Sequence, residues 1–274
     1  MCEISNYVND ITIYGLMNKN CFFNEDSSNS LSFYKVKNKS KVTICKDRVS
    51  ADEEKKYDYI SYMYLDEKPD IKGARYVNMV TSYISKEYFT GMPGKKYIDI
   101  RHTVNQLQKK ISAVEIIPEN MDDVLDMIEK WRYDDNGGMK YRMREHAGID
   151  KNIIRLYGEG NNKLADNTFA YAFYYGTECI GYACMSNNPN GREWHYLTRK
   201  VRNYLGLRNL TEYVDWFMFN QVYRKCNEDF LINWGCSDGG VYWYKTHKWP
   251  VYKIVPKWFV TYYPNGKPVK SKTK

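Results

Sequence analysis

Two lysines three residues apart follow a carboxylate near the end of the chain. The run is Ile232-Asn233-Trp234-Gly235-Cys236-Ser237-Asp238-Gly239-Gly240-Val241-Tyr242-Trp243-Tyr244-Lys245-Thr246-His247-Lys248. An apolar strand leads into Asn, Asp and paired Gly, and an aromatic-rich helical turn follows. Residues three apart share a helix face, so Lys245 and Lys248 point the same way, toward whatever Asp238 approaches. A carboxylate that handles a proton and cations that hold an anionic donor or an oxyanion are parts of an acyl-transfer site. The same residues also describe a turn followed by a solvated basic face, and spacing alone favours that plainer reading.

The elements that must position these groups read as a mixed α/β (α+β) pattern. Residues 1–90 read as strands and loops, with strand patterns at Val42–Cys45 and Tyr57–Leu65 and a polar loop from Asn24 to Ser32. Met92-Pro93-Gly94 is a turn, followed by a basic helix from Lys95 to Lys110. Val114–Ile117 reads as a strand. A helix from Met121 to Arg132 carries Val124, Leu125, Ile128 and Trp131 on one stripe. Polar helices are expected at Met139–Glu145 and Lys151–Tyr157. Strands at Thr168–Tyr175 and Cys179–Met185 form a hairpin turned at Gly176-Thr177, and Gly181 inside the second marks a bulge or a close backbone approach. A strand at Trp194–Leu197, a helix at Leu207–Tyr223 and a strand at Phe230–Trp234 follow. Val251–Val255 and Trp258–Tyr262 close the sheet. Strands and helices in this order make a mixed sheet flanked by helices.

A chain of 274 residues holds one large domain or two small ones, and 43% apolar residues allow a real core. Tyrosine is in excess, 27 against 10 Phe, and tyrosines suit half-wet clefts and sheet faces. An A/T-rich genome, of a low-GC bacterium or its phage, accounts for most of that excess. The net charge of +8 implies attraction to nucleic acid, nucleotide cofactors or anionic headgroups without choosing between them. Seven Cys without a CxxC pair and four dispersed His make a disulfide framework or a zinc site a poor fit. No leader pattern opens the chain and no apolar run nears 18 residues, so a cytoplasmic protein without a transmembrane segment is expected.

The order of elements after residue 94 resembles the back half of the GNAT fold. In that fold an antiparallel sheet carries a bulged strand that contacts the acyl donor, and two strands splay to admit substrate. Three segments sharpen the resemblance. Gly94-Lys95-Lys96-Tyr97-Ile98-Asp99-Ile100-Arg101-His102-Thr103-Val104-Asn105 is similar to a Gly-Lys-x-x-x-x-x-Arg-x-x-x-Asn helix. His195-Tyr196 followed by Tyr204-Leu205-Gly206-Leu207 is similar to a strand and Tyr-x-Gly-Leu turn. Ile232-Asn233, Asp238, Gly240, Lys245 and Lys248 keep the spacing of an Ile-Asn…Asp-x-Gly…Arg-x-x-Lys element. Together, over about residues 90–250, they resemble the soluble catalytic domain of lysyl-phosphatidylglycerol synthases and the Fem-type aminoacyltransferases, which are built from two GNAT-like lobes.

The resemblance implies tandem GNAT-like lobes, a degenerate one over residues 1–93 and a catalytic one over 94–274. It implies an acyltransferase that binds no cofactor tightly and draws on aminoacyl-tRNA or acyl-CoA, with nucleic acid as a partner. Asp238 would be the base or orient the acceptor, with His195 the alternative base and Tyr242 a general acid. Asn233, Lys245, Lys248, Arg202 and Gly206 would bind the donor, and Trp234 and Arg101 the substrate or lobe interface. For His195, Arg101 and Tyr242 a structural role competes with each of these. The chain departs from the pattern in four ways. Leu197 stands where an acidic residue is favoured, and Lys245 stands where the pattern has Arg, keeping the charge but losing bidentate geometry. Arg202-Asn203-Tyr204-Leu205-Gly206-Leu207 lacks a glycine of the usual pyrophosphate signature, which weighs against ordinary acyl-CoA use. A membrane-spanning half before the domain is not expected from this sequence, which weighs against a lipid acceptor. Two alternatives stay open: a phage-type GNAT-like enzyme that modifies a DNA base, and a non-catalytic nucleic-acid-binding protein that kept the fold. Trp194, Trp234, Trp243 and Trp249 would serve either by stacking on bases.

Overall fold

The computed structural model describes residues 21–23, 31–36, 39–44, 50–85, 92, 94–133, 150–151, 153–155, 157–158, 168–187, 193–202, 207–237 and 239–264. The expected helix at Met139–Glu145 lies outside them, as do Asp238 and Gly206. In chain order the elements are β1 (Cys21–Phe23), β2 (Leu31–Val36), β3 (Lys39–Ile44), α1 (Ala51–Glu54), β4 (Tyr59–Leu65), β5 (Arg75–Ile84), α2 (Ile98–Leu107), β6 (Ile111–Glu115), α3 (Met121–Tyr133), β7 (Thr168–Tyr175), β8 (Glu178–Asn187), β9 (Glu193–Val201), α4 (Leu210–Cys226), β10 (Phe230–Ser237), α5 (Gly239–Lys248) and β11 (Val251–Tyr262). The fold is mixed α/β with mostly antiparallel pairing. It falls into two compact units. One takes the chain up to Val80, Cys236–Trp249 and the chain from Lys253; the other takes Thr81–Gly235 and Pro250–Tyr252.

In the first unit the strands run in the order β1-β2-β3-β4-β11-β5. β3 and β4 pair in parallel from Lys41↔Tyr59 to Ile44↔Tyr62, and β4 meets β11 antiparallel. Ile60 and Tyr62, two apart on β4, join Leu65 and Val260 to form its core, with Tyr57 and Trp258 packed against them. Ser50 caps α1 by accepting from Glu53 N at 3.2 Å. Its last residue, Glu54, is buried because Tyr62 donates its hydroxyl to Oε1 at 2.8 Å. β11 runs unbroken through Pro256, where the sequence pattern predicts two strands.

In the second unit the order is β10-β9-β8-β7-β6. Strand β8 is buried from Cys179 to Ser186, as a strand covered on both faces should be. Helices α3 and α4 both pack on it, and α2 packs on α4. The β7–β8 turn falls at Gly176, whose φ of 61° lies in the left-handed region that a tight hairpin demands. The bulge expected at Gly181 is present: Phe173 pairs with Gly181 and Tyr174 with Cys179, leaving Ile180 as the extra residue. A second bulge sits on β9, where Cys184 pairs with Thr198 and Met185 with Tyr196, leaving Leu197 over. Helix α4 begins at Leu210 because Asn209 adopts a left-handed φ of 59°. The helix is tied to β9 by the buried ion pair of Arg199 and Asp215.

Candidate active site

Strands β9 and β10 pair in parallel through Leu231↔Glu193, Ile232↔Trp194 and Asn233↔His195. Glu193 and His195, two apart on one strand, share a face, and the register brings Asn233 beside them. Asn233 Nδ2 donates to Glu193 Oε1 at 2.8 Å, and the same oxygen lies 3.4 Å from His195 Nε2. The other end of the Asn233 amide is fixed as well, because its Oδ1 accepts from Gly235 N at 2.9 Å. Gly235 turns its N–H inward at a φ of 68°, a conformation that disfavours any side chain. Glu193 and Asn233 are buried, and so is His195 Nε2, while 12% of the His195 side chain stays exposed. A carboxylate held by an amide and placed against an imidazole can steady the imidazolium that forms when the ring takes a proton.

Tyr196 and Trp234, on the opposite face of the two strands, stack flat with ring centroids 5.3 Å apart and planes 7° apart. Trp234 is buried and donates its Nε1–H to Ser82 Oγ at 2.8 Å, so it serves as core rather than as a substrate platform. Trp194 and Trp249 are buried too, which removes three of the four tryptophans expected to stack on bases. Trp243 is exposed and its ring stacks on His247 at 4.7 Å. The Leu197 bulge follows Tyr196 directly and interrupts the β8–β9 ladder.

The remaining sequence-derived residues take varied places. Arg202 pairs with Glu178 at 3.0 Å while its backbone N–H donates to Ile180 O, so its guanidinium is engaged within the sheet. Arg101 donates to the carbonyls of Met92 and Gly94 and pins the turn that precedes its own helix. In the first unit, Lys245 is buried on α5 and donates to Ser237 Oγ at 2.6 Å, and Ser237 is buried as well. Lys248 and Tyr242 on the same helix are half-exposed. Two residues of chemical interest went unmarked in the sequence reading, Glu193 and Ser237. Glu193 had a signal in its two-residue spacing from His195; Ser237 had only its place at a strand end.

No protein-family model and no curated protein matches the sequence. Solved structures do. L-PGS from Bacillus licheniformis superposes with a TM-score of 0.57 at 11% identity, over 93% of this chain and 87% of that one. FemX gives 0.54 at 9% identity over 95% and 96%. A tandem GNAT protein from the clavulanic acid biosynthesis pathway gives 0.52 at 8% identity over 96% and 90%. These likenesses establish the fold as GNAT-like in its tandem form, related to that of L-PGS and FemX. Among the described residues, no helix is long and apolar enough to cross a membrane.

Proposed function

We propose that this protein is an acyltransferase. It would move an aminoacyl or acyl group from an activated donor to an amine or hydroxyl acceptor, with aminoacyl-tRNA the preferred donor and acyl-CoA the second. The observation that carries the reading is the Glu193 carboxylate held between Asn233 and His195 on a parallel strand pair. His195 Nδ1, the ring nitrogen not set against Glu193, takes the proton of the attacking amine or hydroxyl, and Glu193 stabilises the imidazolium at Nε2. The acceptor attacks the ester or thioester carbonyl, the oxyanion collapses, and the donor's hydroxyl or thiol leaves with the proton that His195 returns. The backbone at the Leu197 bulge, where the β8–β9 ladder is interrupted, would meet the donor carbonyl. Tandem likeness to L-PGS and FemX, with the sequence segments that resemble their families, favours the tRNA-linked donor. The engagement of Arg202 with Glu178 and the missing signature glycine disfavour acyl-CoA.

The test is donor consumption. The purified protein is incubated with a mixture of charged tRNAs and, separately, with acetyl-CoA, and loss of ester or thioester is followed by mass spectrometry. Consumption of one aminoacyl-tRNA, abolished in His195→Asn and sharply slowed in Glu193→Gln, is the expected result and names the amino acid. Consumption of acetyl-CoA keeps the acyltransferase and changes the donor. If neither donor is touched while the protein binds polynucleotide in a salt-sensitive way, the enzyme reading fails and a binding protein on this fold replaces it.

A further inference from the structure

A cavity of about 460 Å³ opens at the start of β10, lined by Tyr83, Glu228, Asp229, Phe230, Leu231 and Tyr252. Its wall is of an unusual kind for this protein. On a chain of net charge +8, Glu228 and Asp229 line it, and among the described residues no lysine or arginine does. Two phenol rings face the same space. They are not packed away: Tyr83 is 42% exposed and Tyr252 60%. Their centroids lie 6.2 Å apart with planes inclined by 37°, an open wedge rather than a closed stack. The Tyr83 hydroxyl donates to Asp229 Oδ2, which fixes one carboxylate against one ring. That hydrogen bond, the largest cause, also raises the pKa of the Tyr83 phenol above its ordinary range, so the ring stays neutral and keeps donating.

We propose that this cavity is a binding site for an organic cation, an alkylammonium or guanidinium group with an apolar stem. The positive head meets the faces of Tyr83 and Tyr252 and the carboxylates of Glu228 and Asp229, and the stem lies along Leu231. Ring faces attract cations through their quadrupole, and an adjacent carboxylate adds the hydrogen bonds a ring cannot accept as well. Other ligands fit less well. An anion would meet two carboxylates. A hard metal ion requires six or more oxygens, and among the described residues no three His, Cys, Asp or Glu side chains gather. The site depends on Tyr83, Asp229 and Tyr252, none of which belongs to the Glu193–His195–Asn233 group, so it stands or falls apart from the acyltransferase reading.

The test is calorimetric titration of the full chain with agmatine, with cadaverine and with the uncharged 1,5-pentanediol. Saturable binding of at least one cation is expected, with no saturable binding of the diol. Asp229→Asn and Tyr252→Ala should each weaken the cation at least tenfold, while circular dichroism and the thermal midpoint stay close to those of the parent. The exposure of both positions makes their folding safe, and Tyr252→Phe, which keeps the ring face, should bind like the parent. N-acetyl-arginine amide and agmatine then separate the two sources of such a head. Tighter binding of the amide assigns a polypeptide side chain, and tighter binding of agmatine assigns a free amine. Failure of both cations to bind the parent protein, or binding of the diol as tight as that of the cations, overturns the proposal.

Discussion

Asn233 reaches across a parallel strand pair to Glu193, Nδ2 to Oε1 at 2.8 Å, and both side chains are buried. A buried carboxylate is costly unless hydrogen bonds compensate it. Asn233 supplies one of them and is itself locked by Gly235 N. Asn233→Ala should therefore destabilise the fold by about 2–3 kcal/mol, the usual scale for a hydrogen bond to a charged group lost in a protein interior. Glu193→Gln keeps an acceptor for the amide, so it should cost much less stability while still slowing transfer. Urea unfolding of the two variants, set beside their turnover, checks the separation.

Gly181 is small because β9 lies against it. A methyl group there would come within 3.0 Å of Lys200 O and of Val201 Cγ1, one of them backbone. The sheet would have to shift, since backbone in a paired strand yields little. Gly181→Ala should cost about 1–3 kcal/mol, the range of overpacked sites. Thermal unfolding of the variant is the direct measurement, and an unchanged midpoint would show that the strands part easily.

Much of this architecture is written in the chain. The β7–β8 hairpin was legible because alternating aromatic and small residues flank Gly176-Thr177, and its bulge because a lone glycine sits in an apolar strand. The strand into helix at Phe230–Lys248 was legible for the same local reasons, although the strand extends to Ser237. β5 was not, because Arg75–Ile84 carries no turn signal at its far end and mixes polar residues into its buried positions, Thr81 and Ser82. Pro256 made β11 look like two strands. The strand expected at Val114–Ile117 starts earlier, at Ile111, since Ile116 and Ile117 lead into the Pro118 turn. The candidate site was legible only in pieces. His195 and Asn233 each stood out, but the register that pairs them, 38 positions apart in the chain, is a tertiary fact. The Leu197 bulge likewise depends on how β9 meets β8 and leaves no mark in its own sequence.

Alkali should act on the second unit through its thiols. Burial pushes the Cys179 thiol from its ordinary 9.0 up to about 12, and burial raises Cys184 as well. In the unfolded chain these groups lose their protons near their ordinary values, whereas the folded protein holds them. Between pH 9 and 12 the folded state therefore binds more protons than the unfolded one, and stability falls as pH rises through that window. Below pH 9 the contribution is complete and flat. Denaturant midpoints measured from pH 7 to 11 should hold steady and then decline above about 9. Exchange of both cysteines for alanine or serine should flatten the decline. Native thiol labelling at pH 8 should leave Cys179 and Cys184 unmodified, because the thiolate is the reactive form.

The link between β9 and α4 makes the strongest demand on stability. Asp215 is fully buried and pairs with Arg199, whose guanidinium also lies 5.6 Å from the centre of the Tyr196 ring. Removing one partner leaves the other charge in a poorly solvated place, so Asp215→Ala should cost about 3–5 kcal/mol. Removing both is a different matter. A buried ion pair spends much of its attraction on desolvation, so Arg199→Met with Asp215→Leu should recover most of that loss. Arg199 stands three residues past Tyr196 on the strand that carries His195, so the double variant tests position as well as stability. If α4 and β9 need only a filled interface, the double variant folds and turns over donor at the parent rate. If the ion pair sets the strand's placement, the variant folds but transfer slows, and the coupling from a mutant cycle differs between unfolding and turnover.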